Sequence, residues 1–232
     1  MSYAYDYGPV AHAPASERAA FIRRTYGHLA GAVMAFAILE TLLLQVPGIE
    51  QLVIGMAGSR FSWLIVIVAF MGVSYLARTW ARSDTSQSTQ YAGLALYVFA
   101  QALICLPLLY LAKVRYPDAI LTAAILTGAV FLGLTGVVFL TKKDFSYLAP
   151  ILSVGTFLAL GVIVVGILLG FNLGLFFSFA MVALIAGFIL YDTSNVLYHF
   201  RTEQHVAAAL ELFASVAILF WYILRIVLAS RD

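Results

Sequence analysis

Seven long apolar runs, separated by short polar loops, constrain this chain more than any other feature of its sequence. A helix that crosses a hydrocarbon core of about 30 Å needs roughly 17–25 mostly apolar residues, which is the length of these runs. Backbone groups in lipid must be hydrogen-bonded internally, and no run alternates as a membrane β-strand does, so helices are predicted. The runs are residues 29–46, 61–77, 91–111, 119–140, 147–170, 175–191 and 206–228.

The low charge content excludes a soluble globular protein. Of the 232 residues, 63% are hydrophobic and 10% are charged, whereas a soluble domain carries roughly 25% charged residues. A net charge of +2 offers no broad basic surface, so no nucleic-acid partner is expected. The single cysteine, Cys105, lies inside an apolar run and leaves no intrachain disulfide. We therefore predict an all-α integral membrane protein whose partner is the lipid bilayer.

The segment before the first run lacks the apolar region of a cleavable signal peptide and shows no periodicity. We predict a flexible cytosolic tail over residues 1–27 and a seven-helix transmembrane domain over residues 28–232. Cytoplasmic loops carry an excess of Lys and Arg. With the N-terminus inside, the cytoplasmic side has twice as many of these residues in loops as the other side. The predicted orientation is therefore N-terminus cytoplasmic and C-terminus outside.

Ionisable residues in or beside the runs are the candidate functional residues, because a charge at the bilayer centre costs about 2.5–3.5 kcal/mol on insertion scales. Three lie inside the runs: Glu40, Glu211 and Arg225. Three others lie at run ends: Arg78, Asp144 and Asp192.

The last run carries a polar stripe. At 100° per residue, Ser215 lies about 40° to one side of Glu211 and Arg225 about 40° to the other, so the stripe is expected to face the bundle interior. Glu211 and Arg225 are about 21 Å apart along the axis and cannot pair with each other. Simpler interpretations stay open: Arg225 snorkels to the outer interface, Glu211 is interfacial, and Asp192 only caps its helix.

No enzyme motif is present: the chain has no HExxH, GxSxG or GxGxxG sequence and no Walker loop. We therefore predict a non-enzymatic protein without a cofactor. His199 and His205 are six residues apart, which is a weak metal signal. No metal site is predicted, although Asp192 is a candidate contact for Ca²⁺.

Several short motifs resemble those of the transmembrane Bax-inhibitor-motif family, also called the Bax inhibitor-1 family. They occur in the family's order and at the corresponding spans, and the likeness extends from about residue 20 to the end of the chain. They are 23–26 (RRTY), 141–146 (TKKDFS), 190–196 (LYDTSNV), 208–213 (AALELF) and 223–225 (ILR).

The resemblance implies a bundle in which the seventh helix is central and is wrapped by the other six. It also implies a pH-sensitive leak for Ca²⁺, in which an aspartate of span six and one of span seven share a proton and bond an arginine of span two. Carried over, these are Asp192 and Arg78, with Arg225 as the arginine of span seven. The second aspartate is absent, because Ser215 occupies that position. Glu211, one turn earlier, is a candidate replacement.

A serine at this position also resembles the pattern of a bacterial branch of the family. That branch is typified by the inner-membrane modulator of the AAA protease FtsH. The terminal Ala-Ser-Arg-Asp sequence resembles the same branch. This likeness favours a modulator of an FtsH-type protease in a bacterial inner membrane, with the C-terminus periplasmic. The alternative is a pH-sensitive Ca²⁺ or cation leak, gated through Asp192 paired with Arg78. In that alternative Ca²⁺ is the transported ion.

Overall fold

The computed structural model describes residues 8–83 and 86–231. These residues form eight α-helices and two single 3₁₀ turns, Val10–His12 and Ser146–Leu148. Seven of the helices are long and apolar enough to cross a membrane, which confirms the predicted seven-helix bundle. The helices are α1 (Ala15–Leu43), α2 (Ile49–Ala57), α3 (Arg60–Ala81), α4 (Gln87–Arg115), α5 (Pro117–Thr141), α6 (Ala149–Leu169), α7 (Gly174–Tyr198) and α8 (His205–Ala229).

The last helix, α8, lies at the centre of the bundle, as expected. It packs against α1, α3, α4, α5 and α7, and most of its residues are buried. The fifth span, α6, is also expected to contact α8, but it packs mainly against α7 and α3. Five helices therefore form the wall around α8, and α6 lies outside α7.

The short helix α2 was not predicted, because its nine residues are too few to span a bilayer. It begins after Gly48, whose φ of 82° is the left-handed conformation that glycine adopts readily. Its buried residues, Ile49 and Val53, pack with Leu106 of α4. The helix therefore connects α1 to α3 along the end of the bundle where both meet α4.

The predicted flexible tail over residues 1–27 is wrong for the part of the tail that the structure describes. Helix α1 begins at Ala15, directly after Pro14, well before the apolar run. Val10 is fully buried, and its backbone N–H donates to the carbonyl of Phe200 over 2.7 Å. Phe21 is buried too, so apolar side chains fix this segment to the bundle. Residues 1–7 lie outside the described residues.

The loop after α5 is attached to the end of α7. The backbone N–H of Phe145 donates to Ser194 Oγ over 3.1 Å, and the hydroxyl of Tyr198 donates to the carbonyl of Lys142 over 2.6 Å. Asp144, one of the run-end candidates, contacts His199 Nε2 over 2.9 Å. Motifs 141–146 and 190–196 therefore meet in space.

Asp144 lies outside the spanning helices and its charge is stabilised locally. Partial burial raises the pKa of Asp144, but hydrogen bonds from Ser146 and the contact with His199 outweigh this effect and hold the pKa below its usual value. The stabilisation is therefore present above the ordinary carboxyl pKa and is lost as the pH falls through the lowered value.

Candidate functional site

A cluster of charged side chains surrounds Glu211 at the end of the bundle where α3 ends and α8 begins. This residue lies in the second turn of α8, and its side chain is 14% exposed. It forms an ion pair with Arg78 Nη1 through Oε2 and another with Arg82 Nη2 through Oε1, the latter at 2.9 Å. Both arginines belong to α3 and are four residues apart, so they lie on one face of that helix. The cluster therefore ties α3 to the central helix.

A second polar contact joins α7 to α8. Ser215 Oγ donates a hydrogen bond of 2.6 Å to Asp192 Oδ2, and both residues are only 8% exposed. Among the described residues, no ion pair joins Asp192 to Arg78. The expected Asp192–Arg78 pair is therefore wrong, because the guanidinium of Arg78 forms its ion pair with Glu211 instead.

Tyr97 of α4 completes the surroundings of Arg78. The guanidinium carbon of Arg78 lies 5.5 Å from the centre of the tyrosine ring, within the range of a cation–π interaction. Tyr97 is buried, and its ring stands edge-on to Phe213 of α8 at 6.1 Å. Arg78 is thus positioned by a carboxylate on one helix and an aromatic ring on another.

The remaining intramembrane candidates lie away from this cluster. Arg225, half-buried near the end of α8, makes no hydrogen bond or ion pair with any other described residue. Glu40 is 4% exposed near the end of α1, and both of its carboxylate oxygens are buried without a hydrogen-bond partner in the described part of the chain. The predicted polar stripe of α8 therefore has two separate environments: Ser215 and Glu211 are paired, and Arg225 is not.

The arrangement is suited to holding helices together and to presenting a carboxylate. Within residues 8–83 and 86–231, no group of three or more His, Cys, Asp or Glu side chains could hold a metal ion. His199 contacts Asp144, whereas the ring of His205 lies 5.1 Å from that of His28. Any cation at Asp192 would therefore meet a single carboxylate and a hydroxyl.

Two residues that contact Arg78 or Glu211, namely Arg82 and Tyr97, are not predicted from the sequence. Arg82 is not among the residues predicted from the sequence, although its four-residue spacing from Arg78 indicates a shared helix face. Nothing in the sequence indicates a contact between Tyr97 and an arginine, because a single aromatic residue in an apolar run is usually a core residue. Only the packing of α3 against α4 and α8 brings these residues to Glu211.

Comparisons with known proteins give matches along most of the chain. A family model described as "Inhibitor of apoptosis-promoting Bax1" matches residues 18–232. Protein lifeguard 4 of Mus musculus is 28% identical over 232 aligned residues, which cover 95% of this chain and 90% of the mouse protein. An uncharacterized protein of Pseudomonas aeruginosa is 27% identical over 218 residues, covering 88% of this chain and 87% of its own. An uncharacterized membrane protein of Vibrio cholerae is 31% identical over 118 residues, about half of each chain.

Proposed function

This chain belongs to the Bax inhibitor-1 family of membrane proteins, and from that premise we propose that it is a non-enzymatic cation leak. In this proposal Ca²⁺ is the transported ion, and the Asp192–Ser215 contact together with the ion pairs of Glu211 keeps the pathway closed. The family is not a known enzyme family, which supports a role without catalysis.

The observation that carries the proposal is the environment of Asp192. Its carboxylate is buried between α7 and α8, and its hydrogen bond from Ser215 joins those two helices. The nearby arginines of α3 are already paired with Glu211. A buried carboxylate that lacks its own cation is the kind of group that marks an ion or proton pathway in a membrane protein. A hydrogen bond to an ionised carboxylate is stronger than one to a neutral group, so loss of the charge on Asp192 would weaken this contact between α7 and α8.

The test is Ca²⁺ flux into proteoliposomes at pH 6, 7 and 8. Asp192→Asn removes the charge that responds to protons, so flux is expected to rise and to lose its variation with pH. Ser215→Asp places two carboxylates in contact, and because such a pair shares a proton, flux is expected to become more dependent on pH between about 6 and 8. Asp118→Asn is the control, since Asp118 is exposed and bonds Arg231 at the far end of α8. Flux no higher than in empty liposomes, in all of these proteins, would contradict the proposal.

The second candidate is a modulator of an FtsH-type membrane protease in a bacterial inner membrane, with the N-terminus cytoplasmic and the C-terminus periplasmic. Ser215 and the Ala-Ser-Arg-Asp ending favour it. The backbone N–H of Val10 donates to the carbonyl of Phe200, so in this proposal the protease engages the segment before Val10.

Deleting residues 2–7 tests this second candidate. The deletion leaves the Val10 contact in place, so the fold is expected to be unchanged. The protein is expected to last several times longer in cells with active FtsH than the full-length chain does. Val10→Asp is the comparison variant, because it detaches the segment and is expected to shorten the lifetime. A lifetime that depends on neither the deletion nor the protease would eliminate this function.

A further inference from the structure

Two cavities meet at Arg24, at the end of the bundle where α1, α4 and α8 begin. One, of about 630 Å³, is an apolar groove between α1 and α4, lined by Gly31, Ala35, Leu94 and Val98 among others. We call it the α1–α4 groove. Arg24 and His28 lie at its polar end. They come immediately before the apolar run that begins at residue 29, which places them at the level of the lipid headgroups.

The second cavity, of about 550 Å³, is polar, and Arg24 also lines it. We call it the headgroup cavity. Its other charged and polar lining residues include Glu17 of α1, Gln90 of α4 and Glu203 and His205 at the start of α8. The two cavities share Arg24 as a lining residue, and one is polar while the other is apolar, as the two parts of an amphipathic lipid are.

Two glycines that line the groove, Gly27 and Gly31, do not serve helix packing. A Cβ atom added to Gly27 or Gly31 would meet no atom within 4 Å, so no neighbouring helix presses on either position. By contrast, small residues at a helix–helix contact allow two backbones to approach closely. At these two positions the absent side chains leave space in the groove instead.

The headgroup cavity contains polar groups whose bonding capacity is unused. The guanidinium of Arg24 has no hydrogen bond or ion pair with another described residue. Gln90 Oε1 and His205 Nδ1 are buried and have no partner among the described residues, and His205 is only 4% exposed. The amide of Gln90 is oriented by a 2.9 Å hydrogen bond from Nε2 to the carbonyl of Ser83. Oε1 is therefore an acceptor that lacks a donor.

We propose that these two cavities form one binding site for a glycerophospholipid with an amine headgroup. Arg24 binds the phosphodiester, since a guanidinium matches a phosphate through paired N–H groups. The ammonium donates toward Glu17 and Glu203, whose carboxylates make the cavity complementary to a headgroup of both charges. An acyl chain lies in the α1–α4 groove, whose volume is within the usual range of small-molecule sites.

A helix of another protein is the less suitable occupant. The apolar face of a helix would fill the groove, but it would bring no anion to Arg24. Basic sites between transmembrane helices at a membrane surface are known places for lipid headgroups. The mixed charge of this lining further favours a lipid that carries an ammonium over one whose headgroup is only anionic.

The experiment measures phospholipid retained by the purified full-length protein, by native mass spectrometry from nanodiscs. The nanodiscs contain phosphatidylethanolamine, phosphatidylglycerol or phosphatidylcholine with identical acyl chains. We expect phosphatidylethanolamine to bind best, because its ammonium donates hydrogen bonds and a quaternary ammonium does not. Arg24→Gln and Gly31→Leu are each expected to weaken binding about tenfold, the effect of one lost charge-assisted contact or of a blocked groove.

Two matched variants decide the outcome. Arg23→Gln removes the neighbouring exposed arginine, which lines neither cavity, and Gly133→Leu adds a side chain on α5 where no atom lies within 4 Å. Both are expected to retain lipid as the unaltered protein does. Equal loss in Arg23→Gln and Arg24→Gln would overturn the site in favour of general attraction to the surface. Retention of lipid by Gly31→Leu, or a second protein chain held at the groove in place of lipid, would also overturn it.

Discussion

Replacing Gly93 with leucine is expected to force α4 away from α3 and to lower the free energy of unfolding by about 3 kcal/mol, the upper end of the usual cost of overpacking. A Cβ atom at Gly93 would lie 2.5 Å from the carbonyl oxygen of Ala77 and 2.6 Å from the backbone nitrogen of Ala81. These are backbone atoms, so no rotamer change can relieve the clash. The helices must separate.

The same variant is expected to disturb the charged cluster. Arg78 and Arg82 directly follow Ala77 and Ala81, the residues that Gly93 touches. Moving this part of α3 outward draws both guanidinium groups from Glu211 on α8. The measurement is thermal unfolding in micelles, together with the Ca²⁺ flux assay.

Gly128→Leu on α5 is the control for the Gly93 variant. A Cβ atom at Gly128 meets nothing within 4 Å, so the added side chain projects into open space. Its unfolding temperature is expected to match that of the unaltered protein. If Gly93→Leu and Gly128→Leu unfolded at the same temperature, the close approach of α3 and α4 would not matter for stability.

Replacing Glu211 with glutamine is expected to lower the free energy of unfolding by about 3 kcal/mol, the lower end of the range for removing one partner of a buried ion pair. The lower end applies because Arg78 is 36% exposed and Arg82 is 58% exposed, so water can partly solvate the two arginines that remain. Arg78→Gln is expected to cost less, because Glu211 keeps Arg82 as a partner.

A double-mutant cycle tests this network. Glu211→Gln combined with Arg78→Gln is expected to cost less than the two single changes added together, by about 0.5–3 kcal/mol, because the two side chains interact directly. Asp118→Asn provides the reference for an exposed pair, since Asp118 is 68% exposed where it bonds Arg231. That change is expected to cost at most about 1 kcal/mol. If the stability effects of Glu211→Gln and Arg78→Gln were strictly additive, the interaction between these two side chains would contribute nothing to stability.

The helices could be predicted from sequence because lipid leaves the backbone few choices. A run such as 119–140 must be helical to satisfy its own hydrogen bonds, and the structure extends it only to Pro117–Thr141. The start of α1 was different. Residues 15–27 have little apolar periodicity, and their order follows from Val10 and Phe21 being buried against the bundle. That burial depends on residues far away in the chain, such as Phe200.

The candidate site, like the helices, was predictable from the sequence only in part. The sequence alone identified Glu211, Ser215 and Arg225 as one stripe of α8, since a fixed rotation of 100° per residue determines which side chains share a helix face. It also identified Asp192 and Arg78 as ionisable residues at the ends of spans six and two. What it could not determine was the pairing: Glu211 bonds Arg78 across 133 residues of sequence, and Asp192 bonds Ser215 instead.

Only the tertiary structure decided those partners, and the reason is physical. A spanning helix is apolar on nearly all sides, so its sequence contains little signal for how it is rotated toward its neighbours or for how deeply it lies beside them. Those two quantities depend on close contacts such as that of Gly93 with α3. They determine which carboxylate meets which guanidinium.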